Sequence, residues 1–230
     1  MILNRLPDSA YASKTQAKYK ECLSKFSGQN CFDLLSSDCK NSIPMIKTIR
    51  LAANFALDLL HKIPGLKIIH LLRDPRGIID SRLKGGFTLL DKVASFSRSL
   101  CSRMLDDVKT AQIIKETFPG QLHTVFYERL AEHPMVGLEA LYCFTKLRLN
   151  SKIKHYVQNI TNSQKNDGYF NTRRTNSKKI ANHWRQTLNW PLVKAIDKSC
   201  YELYKFTGYS KISSKSNLLN LDIPVLKEVV

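Results

Sequence analysis

The run "LKIIHLL" (66–72) passes without a linker into Arg73-Asp74-Pro75-Arg76-Gly77, and from there into "IIDSRL" (78–83). A short, near-continuous apolar run has the character of a strand covered on both faces, as in parallel sheets. Asp74 suits a helix N-cap, where its carboxylate satisfies a first-turn N–H. Pro75 suits the first helical position, where it has no N–H to leave unpaired. Strands that feed helices in this way call for a parallel sheet with right-handed crossovers, an α/β fold.

The rest of the chain extends the pattern. "IPMIKTIRL" (43–51) is short and β-branched and reads as a strand, and "AANFALDLLHKI" (52–63) puts Phe55, Leu59 and Leu60 on one helical face. Gly85-Gly86 ends the helix opened at Pro75. Leu89, Val93, Phe96, Leu100, Met104, Val108 and Ala111 mark a long amphipathic helix over 89–116. "LHTVFYERL" (122–130) is another expected strand, followed by a helix from Pro134 through Leu147. The turn-rich segment 162–175 is expected as a loop. "NSKKIANHWRQTL" (176–188) and "WPLVKAIDKSCYELYKF" (190–206) are expected as two helices, the second closed by Gly208. The organisation expected is an irregular N-terminal segment (1–42), one domain (43–210) and a C-terminal tail (211–230).

Thirty-six Lys and Arg against 19 Asp and Glu give a net charge of +17, spread along the whole chain. Such a field favours anionic partners. A nucleic-acid binder is one reading, but no helix-turn-helix, zinc finger or RNP motif occurs, and the basic residues are not interleaved with aromatics. A P-loop NTPase is excluded because GxxxxGK[ST] is absent. Six cysteines, at 22, 31, 39, 101, 143 and 200, show neither CxxC nor a metal-spaced Cys/His cluster, so no zinc site is expected and disulfides are permitted. No segment has the uninterrupted apolar length of a signal peptide or membrane span. Asn159-Ile160-Thr161 is an acceptor sequon, relevant only in a lumenal or secreted protein.

Ligands of open parallel sheets sit beyond the carboxyl ends of the strands. A helix starting there offers free N–H groups and a partial positive charge, which suits phosphate. Arg73 closes the strand, and Ser81 lies about two turns into the helix. The pair is placed to grip one anion, by an arginine fork and a hydroxyl. Asp74 and Arg76 belong to the same turn and are expected among the binding residues, with both arginines standing where an anion would rest. Lys47 and Glu128 are candidates for work on the reacting groups, each with a plain alternative: a surface lysine and a structural ion pair. His70, within an apolar strand, is expected to be a satisfied core histidine.

The segment "LKIIHLLRDPRGIIDSR" resembles the 3′-phosphate-binding segment of the Golgi carbohydrate sulfotransferases, in particular the galactose, N-acetylglucosamine and N-acetylgalactosamine 6-O-sulfotransferases. "IKTIRL" (46–51), "FYERLAEHPMVGLEALYCF" (126–144), "NTRRTNSKKIANHWRQTL" (171–188) and "CYELYKFTGY" (200–209) match further family segments in order. The resemblance implies a P-loop NTPase-like sulfotransferase fold, with a parallel central sheet flanked by helices. It also implies transfer of a sulfuryl group from 3′-phosphoadenosine-5′-phosphosulfate (PAPS) to a sugar hydroxyl, 6-O in the closest pattern, on a glycan or glycosaminoglycan in the Golgi lumen.

Carried over residue by residue, Arg73 and Ser81 hold the 3′-phosphate and Asp74 and Arg76 shape the turn. Arg173, Arg174 and Arg185 are secondary contacts to donor or anionic glycan, and Trp184 is either a core anchor or a functional group. The family's 5′-phosphosulfate loop and first strand have no counterpart here, nor does its membrane anchor. The expectation is therefore a chain that begins downstream of them, with little or no transferase activity as written. A non-catalytic relative that binds nucleotide or sulfated glycan is the alternative.

Overall fold

The computed structural model describes residues 20–26, 28–40, 43–49, 51–166 and 173–227. They fall into two compact units that divide between Arg50 and Leu51. In the first unit Cys22 and Cys31 form a disulfide and helix α1 spans Gly28–Lys40. Residues 43–49, expected as a strand, carry no ladder, and Met45, Ile46 and Ile49 are exposed. β-branched residues favour a strand where neighbours pack against it. None of the described residues of this unit supplies that neighbour.

The second unit runs α2 (Ala53–Lys62), β1 (Ile68–Leu72), α3 (Pro75–Lys84), a single 3-10 turn (Leu90–Lys92), α4 (Val93–Thr117), β2 (Leu122–Phe126), α5 (Tyr127–Glu132) and α6 (Pro134–Thr145). It continues through α7 (Ser151–Thr161), α8 (Ser177–Ala181), α9 (Trp184–Thr187), α10 (Trp190–Ser199), α11 (Tyr201–Thr207) and α12 (Lys215–Leu219). β1 and β2 are parallel and in step, with Ile68 opposite Leu122 and Leu72 opposite Phe126. Both strands therefore finish at the same level, and the residues that follow them, Arg73 and Tyr127, emerge side by side at the carboxyl edge. α3 and α4 form the crossover between the strands.

α4 is the spine of the core. Its buried positions Val93, Cys101, Met104, Val108, Ala111 and Ile114 keep to one stripe, as the 3.6-residue period requires. A disulfide joins Cys101 to Cys200 at the end of α10. The main cluster gathers Leu72, Ile79, Trp184, Val193, Ile196 and Leu203 around that spine.

Several expectations give way here. β1 is not covered on both faces: Ile69 and Leu71 are 44% and 57% exposed. Successive strand residues point to opposite faces, and on the face of Ile69 and Leu71 the described residues cover β2, where Val125 is buried and His123 packs on Phe144, but leave β1 open. The strand expected over 122–130 stops at Phe126, and Tyr127–Glu132 turn helical. The helix expected over 176–188 breaks at Asn182-His183, and the one over 190–206 breaks at Cys200, where φ −105° and ψ 6° leave helical geometry. α7 was not foreseen, although Asn150 caps it in the ordinary way by accepting from the Ile153 N–H at 3.0 Å. Residues 162–166 and 173–175 of the expected loop are outside helices and strands, and the remainder lies outside the described residues. The segment set aside as a tail folds back instead: Ile212, Leu218 and Val225 are buried, and Tyr209 bridges Leu226. No helix among the described residues is long and apolar enough to cross a membrane.

Candidate functional site

At the end of β1 the backbone turns on Asp74. Its carboxylate caps α3 by accepting from the Arg76 N–H at 2.9 Å, as the Asp-Pro pair predicts. The same carboxylate holds the Arg76 side chain from both oxygens, through Nε at 2.9 Å and Nη2 at 2.8 Å. Nη1 reaches the Asp197 carboxylate at 3.3 Å and the Ser210 carbonyl at 3.0 Å. The guanidinium lies between the rings of Trp184 and Tyr204, at 4.5 and 5.3 Å. Arg76 and Asp74 are both fully buried. The two arginines of the turn thus diverge. Arg76 faces inward and ties the N-terminus of α3 to α10 and the returning C-terminal segment, rather than standing at the open mouth of the helix.

Glu128, on the first turn of α5, braces the turn from the other strand. One oxygen accepts from the Asp74 N–H at 2.9 Å and the other from the Tyr209 hydroxyl at 2.7 Å. Asp197 accepts from the Tyr204 hydroxyl at 2.9 Å and the Ile212 N–H at 2.8 Å. Two buried carboxylates, Asp74 and Asp197, therefore share one buried guanidinium, and Glu128 reaches the first of them only through its backbone N–H. Burial, and next the Asp74 charge, push the Glu128 carboxyl above its ordinary range. Burial likewise raises Asp197, against the opposing pull of Arg76.

A carboxyl that holds its proton more tightly in the folded than in the unfolded chain makes stability fall as pH rises through the interval between the two pKa values. Glu128→Gln keeps an acceptor for the Asp74 N–H and removes the titration. Relative to this variant, the wild type is expected to gain stability on acidification from pH 8 toward the ordinary glutamate pKa. Urea unfolding across that range gives the measurement, and a difference that stays flat with pH would remove Glu128 as a source.

Arg73 turns the other way. It is half-buried and lies over the ring of Tyr127, its Cζ 4.6 Å from the centroid. No hydrogen bond or ion pair links it to another described residue, and its Nε is buried without a partner. Its side chain runs along the first turn of α3, with Nε 3.3 Å and Nη2 3.6 Å from where a Cβ on Gly77 would stand. Ser81 follows Gly77 by one helical turn on the same face, and is half-buried. The structure thus brings the Arg73 guanidinium onto the α3 face that Ser81 occupies. An arginine with no ion pair to another described residue, beside the N-terminus of a ten-residue helix, offers donors and charge of the kind that suit an anion.

The other candidates lie elsewhere. Arg174 is half-buried and donates from Nη1 to the Arg173 carbonyl at 2.7 Å, while Arg173 is exposed. Arg185 is buried and turned away from α3: Nε and Nη1 donate to the Leu218 and Ile223 carbonyls, both at 2.9 Å, and Nη2 to Asn217 at 2.6 Å and to Asn220. Its role is to close the end of α12. Lys47 is exposed in the first unit, without the strand expected to present it. His70 is not the satisfied core histidine expected: its Nδ1 is buried without a partner, and burial holds the ring below the ordinary histidine pKa. Among the described residues no cluster of His, Cys, Asp and Glu could hold a metal.

The sequence profile of the sulfotransferase domain matches residues 35–208. The chain belongs to the sulfotransferase domain family. Its similarity to curated relatives is lower but broad. It is 24% identical to mouse carbohydrate sulfotransferase 4 over 220 residues, covering 86% of this chain and 57% of that protein. With mouse carbohydrate sulfotransferase 1 it is 29% identical over 201 residues, 80% of this chain and 49% of that protein. With human carbohydrate sulfotransferase 5 the figures are 25% over 244 residues, 95% and 58%. The chain thus spans about half the length of the curated relatives it matches.

Within this sulfotransferase domain, the strand-to-helix turn of β1 and α3 is the point where the sequence pattern and the geometry coincide. Tyr127, Gly77 and Asp197 were not picked out from the sequence. For Tyr127 a signal existed: it follows β2 as Arg73 follows β1, so equal strand ends place the two together. Asp197 carried none, because its partner stands 121 residues away.

Proposed function

We propose that the domain binds the 3′-phosphate of PAPS between Arg73 and Ser81, in a protein that transfers sulfuryl from that donor to a carbohydrate hydroxyl. The observation that carries this is the Arg73 guanidinium, half-buried on Tyr127 with no acceptor among the described residues. The residues suit a phosphate monoester: a fork with free donors, a hydroxyl one turn beyond Gly77, and a glycine that leaves room for the fork to lie flat. PAPS, once bound, supplies the sulfuryl group. Arg73 and Ser81 hold its far end, while Asp74, Arg76 and Glu128 fix the turn that presents them. The family's carbohydrate members favour a glycan acceptor over nucleic acid. A 6-O position on a galactose or N-acetylhexosamine, a glycosaminoglycan chain and a Golgi setting are the finer form of the same proposal, as are the bounds 43–210 for the domain, donor contacts from Arg174, and chemical roles for Lys47 or Glu128.

Calorimetric binding of adenosine 3′,5′-bisphosphate tests the site. Arg73→Ala is expected to weaken binding about 100-fold, as loss of a charge-assisted pair of hydrogen bonds does. Ser81→Ala is expected to cost about 5-fold, the worth of a single hydrogen bond. Equal affinity in all three proteins would remove the assignment.

A further inference from the structure

Trp184 opens α9 and is 1% exposed, yet its indole N–H has no acceptor. A buried donor left unmade costs about 1–3 kcal/mol, so such a group in a core calls for a reason. Its surroundings supply one. The Cδ1 atom, bonded to that nitrogen, lies 3.3 Å from where a Cβ on Gly77 would stand, the same distance as Arg73 Nε. Gly77 is itself in the first turn of α3, where the Arg76 N–H is capped by Asp74 and the Ile78 N–H is bonded to the Asp74 carbonyl. The Gly77 N–H has no acceptor among the described residues. Three unpartnered N–H donors, on the Gly77 backbone, the Arg73 guanidinium and the Trp184 indole, therefore collect around one missing side chain.

α9 is held in that place by α3 itself. Asp80 accepts from the Thr187 hydroxyl at 2.7 Å and from Lys84 at 2.6 Å, and Lys84 also lies 3.1 Å from His183 Nδ1. Arg76 stacks on one face of the indole. The ring is thus clamped, and the clamp fixes the direction of its N–H.

We propose that the Trp184 indole N–H is a further ligand of the anion bound by Arg73 and Ser81, donated across the notch that Gly77 leaves in α3. The proposal rests on the anion site described above and adds a donor from a different part of the chain. It makes Trp184 a binding residue as well as a core residue. It also gives Gly77 a reason to be glycine beyond helix packing, since a methyl group there would press on both donors.

The test uses the indole as its own reporter. The chain has two tryptophans, so ¹⁵N-labelled Trp190→Phe protein carries a single indole N–H resonance. On titration with adenosine 3′,5′-bisphosphate this resonance is expected to move downfield, saturating with the affinity read by calorimetry. In Trp190→Phe/Arg73→Ala, at a concentration saturating the Trp190→Phe protein, it is expected to stay in place. Trp184→Phe, which keeps the ring and removes the donor, is expected to bind the bisphosphate about tenfold more weakly. Binding by calorimetry with an unmoved indole resonance would overturn the proposal and leave Arg73 and Ser81 standing. Undiminished binding in Arg73→Ala would instead remove the site itself. Should Trp184→Phe fail to fold, the resonance alone decides.

Discussion

Arg76→Ala is expected to destabilise the fold by about 3–5 kcal/mol, the range for removing one partner of a buried ion pair. The size follows from what stays behind. Asp74 and Asp197 would both remain in the interior, the first fully buried and the second 7% exposed, without the cation that offsets their desolvation. The Ser210 carbonyl would lose its donor, and the rings of Trp184 and Tyr204 would face a void. Asp197, whose carboxyl burial already raises, escapes part of the penalty by taking up a proton once the opposing pull of Arg76 is gone, so the deficit is expected to shrink as pH falls. Urea unfolding at neutral and mildly acidic pH reads both effects. A loss under 1 kcal/mol at neutral pH would mean that the Asp74–Arg76–Asp197 chain is not what secures the turn.

The second large effect is expected from the Cys101–Cys200 bridge. The two sulfurs tie the middle of α4 to the junction of α10 and α11 across a sequence separation of 99. Closing a loop of that length restricts the unfolded chain by about 4–5 kcal/mol in the chain-entropy description. Both cysteines are buried in the main core, so the double variant Cys101→Ala/Cys200→Ala loses little packing beyond the bridge. It is expected to unfold at a markedly lower urea concentration than the wild type. Dithiothreitol, given time to act under partly denaturing conditions, is expected to bring the wild type to the same midpoint. A wild type insensitive to reductant, with the variant equally stable, would show that the bridge contributes nothing. Neither substitution touches the proposed phosphate contacts, so a variant that still folds should keep its affinity for the bisphosphate. That separates a loss of stability from a loss of the site.

Much of the working region was legible in the sequence. The strand at 66–72, the Asp74 cap, Pro75 at the first helical position and the long α4 all depend on residues within a few positions of one another, where spacing and backbone preference decide. Elements failed where a distant partner decides. "IPMIKTIRL" has the composition of a strand and no ladder to join. "YERL" (127–130) continues an apolar strand pattern and instead folds as a helical turn that sets Tyr127 under Arg73 and Glu128 under Asp74. The cysteine count permitted disulfides without indicating which thiols meet.

The amino-acid order by itself determined where β1 turns into α3, and that Arg73 and Ser81 stand two helical turns apart on one side of it. Only the tertiary structure decided which arginine of the turn remains open to an anion. A guanidinium on a long, flexible stem points toward whatever acceptors reach it. For Arg76 these include Asp197 and Ser210, 121 and 134 residues further on, whereas none of the described residues offers an acceptor to Arg73. Side-chain direction in the interior is settled by such long-range partners, and nothing in the local spacing around residue 76 records them.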